Sequence, residues 1–145
     1  MPFKFEKLEV WQRAIDYVDL TYQIAAGLPR DEEYNLKSQI VRAATSVALN
    51  IAEGSTGQTN AEQARFLGLA IRSLIETVAC QHIISRRGLL ADVSPLRQAY
   101  RDAETLMAML YKMRTTIAPD QTWLRENTTE YLLDGKGSGE ESVET

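Results

Sequence analysis

The segment from Leu96 to Ile117 repeats apolar residues at alternating steps of three and four, which places them on one helix face. These positions are Leu96, Ala99, Ala103, Leu106, Leu110, Met113 and Ile117. Ser94 and Pro95 precede the repeat, and both residue types favour the first positions of a helix. Because a single amphipathic helix is marginal in water, this apolar stripe requires partner helices. The spacing therefore predicts a chain built from packed helices.

Three further segments show the same helical spacing, over residues 8–26, 31–53 and 60–87. Short connections containing glycine or proline separate them, and almost no segment has a sequence pattern typical of a β-strand. Short connections between long helices make neighbours in sequence antiparallel. We therefore predict an all-α fold: an antiparallel up-down-up-down four-helix bundle over residues 1–119. Residues 120–145 form a short acidic C-terminal tail that we expect to be partly disordered.

Residue types at the expected helix ends support these boundaries. Thr59 and Glu62 have the spacing of a capping box at the start of the third helix. Gly54 and Gly88 follow the second and third helices, where glycine is favoured as a C-terminal cap. Ser94 is expected to cap the start of the fourth helix.

Charge and cysteine content restrict the class of protein. Residues 120–145 carry seven acidic and two basic side chains, so the net charge of −4 is made of −5 in the tail and +1 elsewhere. This is not the strongly basic character of a dedicated nucleic-acid binder. A single cysteine, no apolar leader and no long uncharged apolar run predict a cytoplasmic protein that does not enter the membrane.

The residues that most often carry catalysis or bind metals are few and scattered. His82 is the one histidine of the chain, and a lone histidine does not supply a zinc site. We expect a structural or surface role for His82 and a core or interface position for Cys80. No nucleophile, base and orienting group share a suitable spacing. The sequence predicts no catalytic residues, no metal and no cofactor.

A polar row on the second helix is the most informative pattern. The row consists of Gln39, Arg42, Ser46, Asn50 and Glu53. The third helix offers a matching row of Arg65, Gly68, Arg72 and Glu76. Antiparallel packing in one register would pair Glu53 with Arg65 and Arg42 with Glu76, which predicts ion pairs that fix the register. The same register places Ser46 opposite Arg72. Two alternatives are an arginine-lined groove that holds phosphate and a plain solvated surface.

The third helix carries apolar residues around most of its circumference, including Ile71, Ile75 and Ile83. A helix of this kind is buried on more than one side. Since every helix of a four-helix bundle has an outward face, an apolar outward face predicts a subunit interface. The alternative is a scatter of surface leucine and isoleucine residues, which is common.

Several short motifs together resemble a known bacterial family. They are Leu8-x-Val10-Trp11-Gln12-x-Ala14, Gln39-x-x-Arg42-Ala43-Ala44-x-Ser46, Asn50-Ile51-Ala52-Glu53-Gly54 and Phe66-Leu67-x-x-Ala70-x-x-Ser73-x-x-Glu76. Over roughly residues 3–117 the chain resembles the four-helix-bundle family of 23S rRNA intervening-sequence proteins. That family also includes the accessory variability determinant proteins of diversity-generating retroelements.

The resemblance implies a ring-like homopentamer of four-helix bundles without catalytic residues. For the retroelement branch it also implies binding of RNA or DNA and of a reverse transcriptase through a strongly basic surface. This chain offers only local basic patches, Arg86 with Arg87 and Arg97 with Arg101, and these arginines are alternatively solvated helix-end residues. The leading hypothesis is a non-enzymatic oligomeric interaction protein. The second is a nucleic-acid-binding accessory protein that acts with a reverse transcriptase or ribonucleoprotein.

Overall fold

Four long helices make up the computed structural model, which describes residues 3–57 and 59–118. After a short 3-10 turn at Lys4–Lys7, the helices are α1 (Glu9–Gly27), α2 (Ser38–Gly54), α3 (Asn60–Arg86) and α4 (Ser94–Ile117). Each helix packs against its neighbours in sequence, and α4 returns to pack against α1. The predicted all-α four-helix bundle is therefore confirmed. The acidic tail over residues 120–145 lies outside the described residues.

The apolar row of α4 forms one wall of the core. Five of its seven positions are buried, and the last two are partly buried against the core. The buried members are Leu96, Ala99, Ala103, Leu106 and Leu110. Burial of each leucine contributes about 2 kcal/mol relative to an exposed side chain, so this row anchors α4 to the other helices.

The second helix begins less regularly than predicted. Residues Arg30–Glu32 form a 3-10 turn and Glu33–Lys37 a π-helical turn, so regular α-helix starts only at Ser38. The Glu32 carboxylate accepts a hydrogen bond from Asn35 Nδ2 at 3.0 Å and lies 3.5 Å from the backbone nitrogen of Leu36. This side chain provides a partner for amide groups that a helix start leaves unpaired.

Two of the predicted helix ends are confirmed. The hydroxyl oxygen of Thr59 accepts a hydrogen bond from the backbone N–H of Glu62 at 3.1 Å, as an N-terminal cap does. Gly88 has a φ of +62°, and its neighbours complete the usual paired hydrogen bonds: Gly88 N–H to Ser85 O and Leu89 N–H to Ile84 O. Glycine adopts this left-handed conformation without steric cost.

The other two predicted caps are wrong. Gly54 is the buried last residue of α2 and does not have a positive φ. A Cβ at this position would lie 3.1 Å from Phe66 Cβ, so the glycine allows α2 and α3 to approach closely. At α4, Val93 is the capping residue, and Ser94 donates its backbone N–H to Asp92 Oδ1 at 2.9 Å. That hydrogen bond is the largest cause of the lowered pKa of Asp92.

The expected apolar outward face of α3 is mostly absent. Ile71 is buried inside the chain and Ile75 is partly buried, while Ile83 is 46% exposed. Charged residues occupy the outward face, among them Arg72 and Glu76. The sequence pattern misled because α3 packs against both α2 and α4, so two neighbours within one chain cover most of its circumference.

By length and composition, α3 is also the one helix among the described residues that is long and apolar enough to cross a membrane. A core helix passes the same test. The buried side chains of Leu67, Leu74 and Ile84 and the exposed charges of Arg72 and Glu76 are features of a core helix with one solvent-facing stripe.

Candidate functional site

The polar rows of α2 and α3 meet in a register one residue away from the predicted one. Ser46 Oγ lies 2.8 Å from Ser73 Oγ, whereas the predicted register placed Ser46 opposite Arg72. Asn50 Nδ2 donates to the Ser46 carbonyl oxygen at 2.8 Å and to Ser46 Oγ at 3.0 Å. Three of the residues singled out from the sequence thus form a half-buried hydrogen-bonded cluster between the helices.

The predicted ion pairs between α2 and α3 are wrong. Across residues 3–57 and 59–118, neither Arg42 with Glu76 nor Glu53 with Arg65 comes within the 4.0 Å of an ion pair. All four side chains are exposed, because a shift of one residue turns a side chain by about 100° around the helix axis. Gln39 is also exposed and donates to Asn35 Oδ1 at 3.1 Å within its own helix.

A second polar cluster lies in the core itself. Gln81 Nε2 donates to the Tyr17 hydroxyl at 2.6 Å, and that hydroxyl lies 2.6 Å from Thr77 Oγ1. Thr77 Oγ1 in turn donates to the Leu74 carbonyl oxygen at 2.6 Å. Because the threonine hydrogen is used there, the tyrosine must donate to Thr77 and accept from Gln81. The hydrogen bonds therefore all run in one direction. Gln81 donates to Tyr17, Tyr17 donates to Thr77, and Thr77 donates to the Leu74 carbonyl oxygen.

These donor and acceptor roles leave one polar atom of Gln81 unused. Because Gln81 Nε2 is the donor to Tyr17, Oε1 is the other end of the amide, and this buried oxygen has no hydrogen-bond partner among residues 3–57 and 59–118. Gln81 itself is only 4% exposed. A buried acceptor without a partner costs about 1–3 kcal/mol, so this atom calls for an explanation.

Gln81 lies beside an open groove on the bundle surface between α3 and α4, with a volume of about 390 Å³. We call it the α3–α4 groove. Three of its residues belong to α3, one to the connection that follows, and four to α4. They are Gln81, His82, Ser85, Val93, Leu96, Arg97, Tyr100 and Arg101.

Two aromatic rings meet in the α3–α4 groove. The rings of His82 and Tyr100 are 6.0 Å apart at 84°, an edge-to-face contact between α3 and α4. Tyr100 is 45% exposed, so a face of its ring is available to another molecule. His82 is exposed, which is the surface alternative of the structural or surface role predicted from the sequence, and it has an aromatic neighbour that the sequence did not indicate.

The four arginines suggested for nucleic-acid binding lie in two different parts of the surface. Arg97 and Arg101 line the α3–α4 groove, whereas Arg86 and Arg87 are exposed at the C-terminal end of α3 and do not line it. Arg101 Nη2 donates to Gln98 Oε1 at 2.8 Å along its own helix.

All four arginines share one end of the bundle with both helix connections on that side. A Cβ on Gly27, at the end of α1, would lie 2.9 Å from Leu90 Cδ2 in the α3–α4 connection. The end of α1, where the α1–α2 connection begins, thus lies close to the α3–α4 connection, and we call this part of the molecule the connection end. Seven large apolar side chains are exposed among the described residues, and five of them lie at or near it: Tyr22, Tyr34, Ile83, Val93 and Tyr100.

Neither a metal centre nor a nucleophilic site appears in the described part of the chain. It holds no group of three histidine, cysteine, aspartate or glutamate side chains that could bind a metal ion. Cys80 is a free, buried thiol, as expected for a core residue. Its burial, and to a smaller extent the charge of Glu76, raises its pKa, which favours the unreactive thiol over the thiolate.

The sequence did not reveal Tyr17, Thr77 or Tyr100 as notable residues. Thr77 and Gln81 are four residues apart within the otherwise apolar inner row of α3. This spacing is the sequence feature that could have indicated a buried polar cluster. Tyr100 carried no comparable signal, because its importance depends on which helix packs beside it.

The four packed helices and the α3–α4 groove define a small four-helix-bundle protein. The family model of the 23S rRNA-intervening sequence protein matches residues 6–112, and the chain belongs to that family. Its fold is similar to the crystal structure of a protein of unknown function from the S23 ribosomal protein family of Bacteroides thetaiotaomicron, with a TM-score of 0.67 and 19% sequence identity. That match covers 72% of this chain and 97% of the other. Among curated proteins, none matches.

Proposed function

We propose that this chain is a non-enzymatic, self-associating interaction protein whose contact surface is the connection end. The observation that carries the proposal is the concentration there of exposed large apolar side chains, five of the seven found in the described residues. Tyr34 is 95% exposed, which is unusual for an aromatic side chain without a partner.

The mixture of residue types at the connection end is that of a protein interface. Tyrosine and arginine are enriched in the energetically important parts of interfaces. Here Tyr22 and Tyr34 share the end with Arg86 and Arg87. Ile83, in the last turns of α3, is one of two aliphatic members of the cluster, with Val93, and its exposed area is removed from water if a second copy covers it.

The assembly that the family resemblance suggests is a homopentamer, and we adopt it for this chain. A closed ring of copies uses two different patches on each subunit, and the connection end supplies one of them. We place this assembly in the cytoplasm, in keeping with the single buried cysteine.

Sedimentation velocity of an Ile83→Asp variant tests the surface. A charge at a covered apolar contact costs several kcal/mol, so we expect the variant to sediment as smaller species than the unmodified chain. The matched control is Leu49→Asp, which changes a 58% exposed leucine of α2 away from the connection end. Equal sedimentation of Ile83→Asp and unmodified chains would remove this surface from the proposal.

Binding of nucleic acid is a second candidate function, because Arg86, Arg87, Arg97 and Arg101 all lie at one end of the bundle. Contacts from arginines to phosphates release counterions, so such binding weakens steeply as salt rises. A ring of copies would multiply this local charge even though the chain is nearly neutral outside its tail.

Fluorescence anisotropy with labelled single-stranded RNA and duplex DNA tests this second function. The expected result is binding at about 50 mM salt that decreases as salt is raised and is lost in the Arg86→Glu, Arg87→Glu double variant. Absence of binding at low salt, or an affinity that does not change with salt concentration, would rule out this second function.

A further inference from the structure

We infer that the α3–α4 groove is a binding site for a free nucleoside monophosphate, a small ligand that joins a planar N–H-bearing ring to a phosphate. This inference goes beyond the proposed self-association and does not depend on it. Three separate features of the groove each match one part of such a ligand: paired guanidinium groups, an aromatic face and a buried acceptor without a donor.

The phosphate fits the two arginines of α4. Arg97 and Arg101 are four residues apart, so they lie one above the other on the same helix face. No carboxylate among the described residues is within 4.0 Å of either guanidinium. Arg97 makes a small contribution to the lowered pKa of Asp92, but Asp92 is exposed and already accepts the Ser94 N–H. The planar donor fork of arginine matches the oxygens of a phosphate group.

The ring of the ligand fits the aromatic side of the groove. Tyr100 is exposed and is held edge-to-face by His82, which orients the tyrosine ring. A nucleobase stacked on an aromatic side chain gains about 1–3 kcal/mol. Val93, Leu96 and the Tyr100 ring supply apolar surface beside the arginines, as a mixed polar and apolar ligand requires.

The Gln81 carbonyl explains why the ring should carry an N–H group. Gln81 lines the groove, and its Nε2 is fixed by the hydrogen bond to Tyr17, so Oε1 is the acceptor that we propose for the ring N–H and cannot be exchanged for a donor without breaking that bond. The oxygen is buried, so a ligand reaches it only when an adjacent side chain moves aside. Tyr100 and Arg97 are exposed side chains that line the same groove.

The size of the groove agrees with this choice. A volume of about 390 Å³ lies within the usual range for small-ligand sites and suits a ligand of one ring, one sugar and one phosphate. The groove is open along the surface, so the sugar and phosphate remain near solvent while the ring is inserted.

Isothermal titration calorimetry with AMP, GMP, CMP and UMP tests the inference on the full-length chain. We expect at least one of them to bind saturably, and to bind at least about tenfold more weakly to the Arg97→Gln, Arg101→Gln double variant. The matched control is Arg42→Gln with Arg72→Gln, which removes the same charge from exposed positions outside the groove and should leave affinity unchanged.

The contribution of Gln81 is tested by Gln81→Met, which keeps the length of the side chain but removes the acceptor. The expected result is weaker nucleotide binding, with unchanged affinity for inorganic phosphate. Thr77→Val disturbs the same buried cluster but keeps the Tyr17 hydroxyl that fixes the Gln81 amide, so it serves as the control for a general effect on folding. In the nitrogen-15 NMR spectrum, the Gln81 side-chain amide should shift on nucleotide addition.

Three results would overturn the inference. One is the absence of binding by all four nucleotides, and another is equal affinity for the nucleotide and for inorganic phosphate or the free nucleoside. The third is binding of single-stranded RNA without binding of any mononucleotide, which would assign the groove to nucleic-acid contacts instead. Sedimentation measured in parallel shows whether self-association is intact, so the two proposals can fail separately.

Discussion

The hydroxyl groups of Tyr17 and Thr77 lie 2.6 Å apart in the centre of the bundle and join α1 to α3. Both side chains are fully buried. The tyrosine hydroxyl donates to the threonine and accepts from Gln81, so both of its hydrogen-bonding functions are used. A polar group satisfied in this way specifies how the two helices pack, because any other arrangement leaves buried donors or acceptors unpaired.

Tyr17→Phe should therefore destabilise the fold by about 1–3 kcal/mol, since it leaves buried groups of Thr77 and Gln81 without their partner. Urea denaturation followed by circular dichroism measures this change. Tyr22→Phe, at a 57% exposed position on the same helix, should change stability by less than about 0.5 kcal/mol. Equal changes in stability for the two substitutions would show that the buried hydrogen bonds of Tyr17 do not stabilise the fold.

Tyr17 also predicts a stability change at high pH. Burial raises its pKa from 10.0 to about 12, although the hydrogen bonds that it shares with Thr77 and Gln81 act in the opposite direction. Between these values the unfolded chain loses the phenol proton while the folded chain keeps it, so stability falls as pH rises from about 10 to about 12. The loss is of the order of 2–3 kcal/mol. Tyr17→Phe should lose less stability than the unmodified chain over this range, and parallel curves would refute the prediction.

Gly54 should not tolerate a larger side chain. Gly54→Ala brings a methyl group to 3.1 Å from Phe66 Cβ, and neither atom can move without shifting a helix. We expect a loss of about 1–3 kcal/mol in the free energy of unfolding, measured by denaturation. Glu53→Ala, one residue earlier and exposed, is the control and should have little effect. A neutral Gly54→Ala would show that the helices are not in close contact there.

A double-mutant cycle distinguishes the observed register of α2 and α3 from the predicted one. Ser46→Ala and Ser73→Ala should be coupled by about 0.5–1.5 kcal/mol, because their hydroxyl groups share a hydrogen bond. Arg42→Ala and Glu76→Ala should be additive, since both are exposed and not paired with each other. Coupling between the charged residues without coupling between the serines would favour the register predicted from sequence.

The helices of this protein were predictable because their signals are local. Spacing within one segment gave the buried row of α4, and the caps at Thr59 and Gly88 follow from residue type and position. The role of Gly54 was missed because it depends on Phe66 in another helix. Opposite charges at matching spacing also failed to give the register, because long charged side chains on an outward face gain little from pairing.

The candidate site was predictable only in part. Arg97 and Arg101 were recognised as a basic pair from their spacing, but nothing in the sequence placed them beside Gln81 and Tyr100. A groove between two helices arises from the rotation of each helix about its axis, and small changes in packing set that rotation. The same reason explains why the apolar residues of α3 were assigned to an outward face although two neighbouring helices cover most of them.

Native mass spectrometry of the unmodified chain determines how many copies associate. One chain has a mass of 16.3 kDa, and for a homopentamer we expect a dominant species of five times that mass near neutral pH. The Ile83→Asp variant should shift toward lower multiples, and Leu49→Asp should not. A single species at the mass of one chain, over the micromolar concentrations at which interfaces of this kind form, would show that the protein does not self-associate.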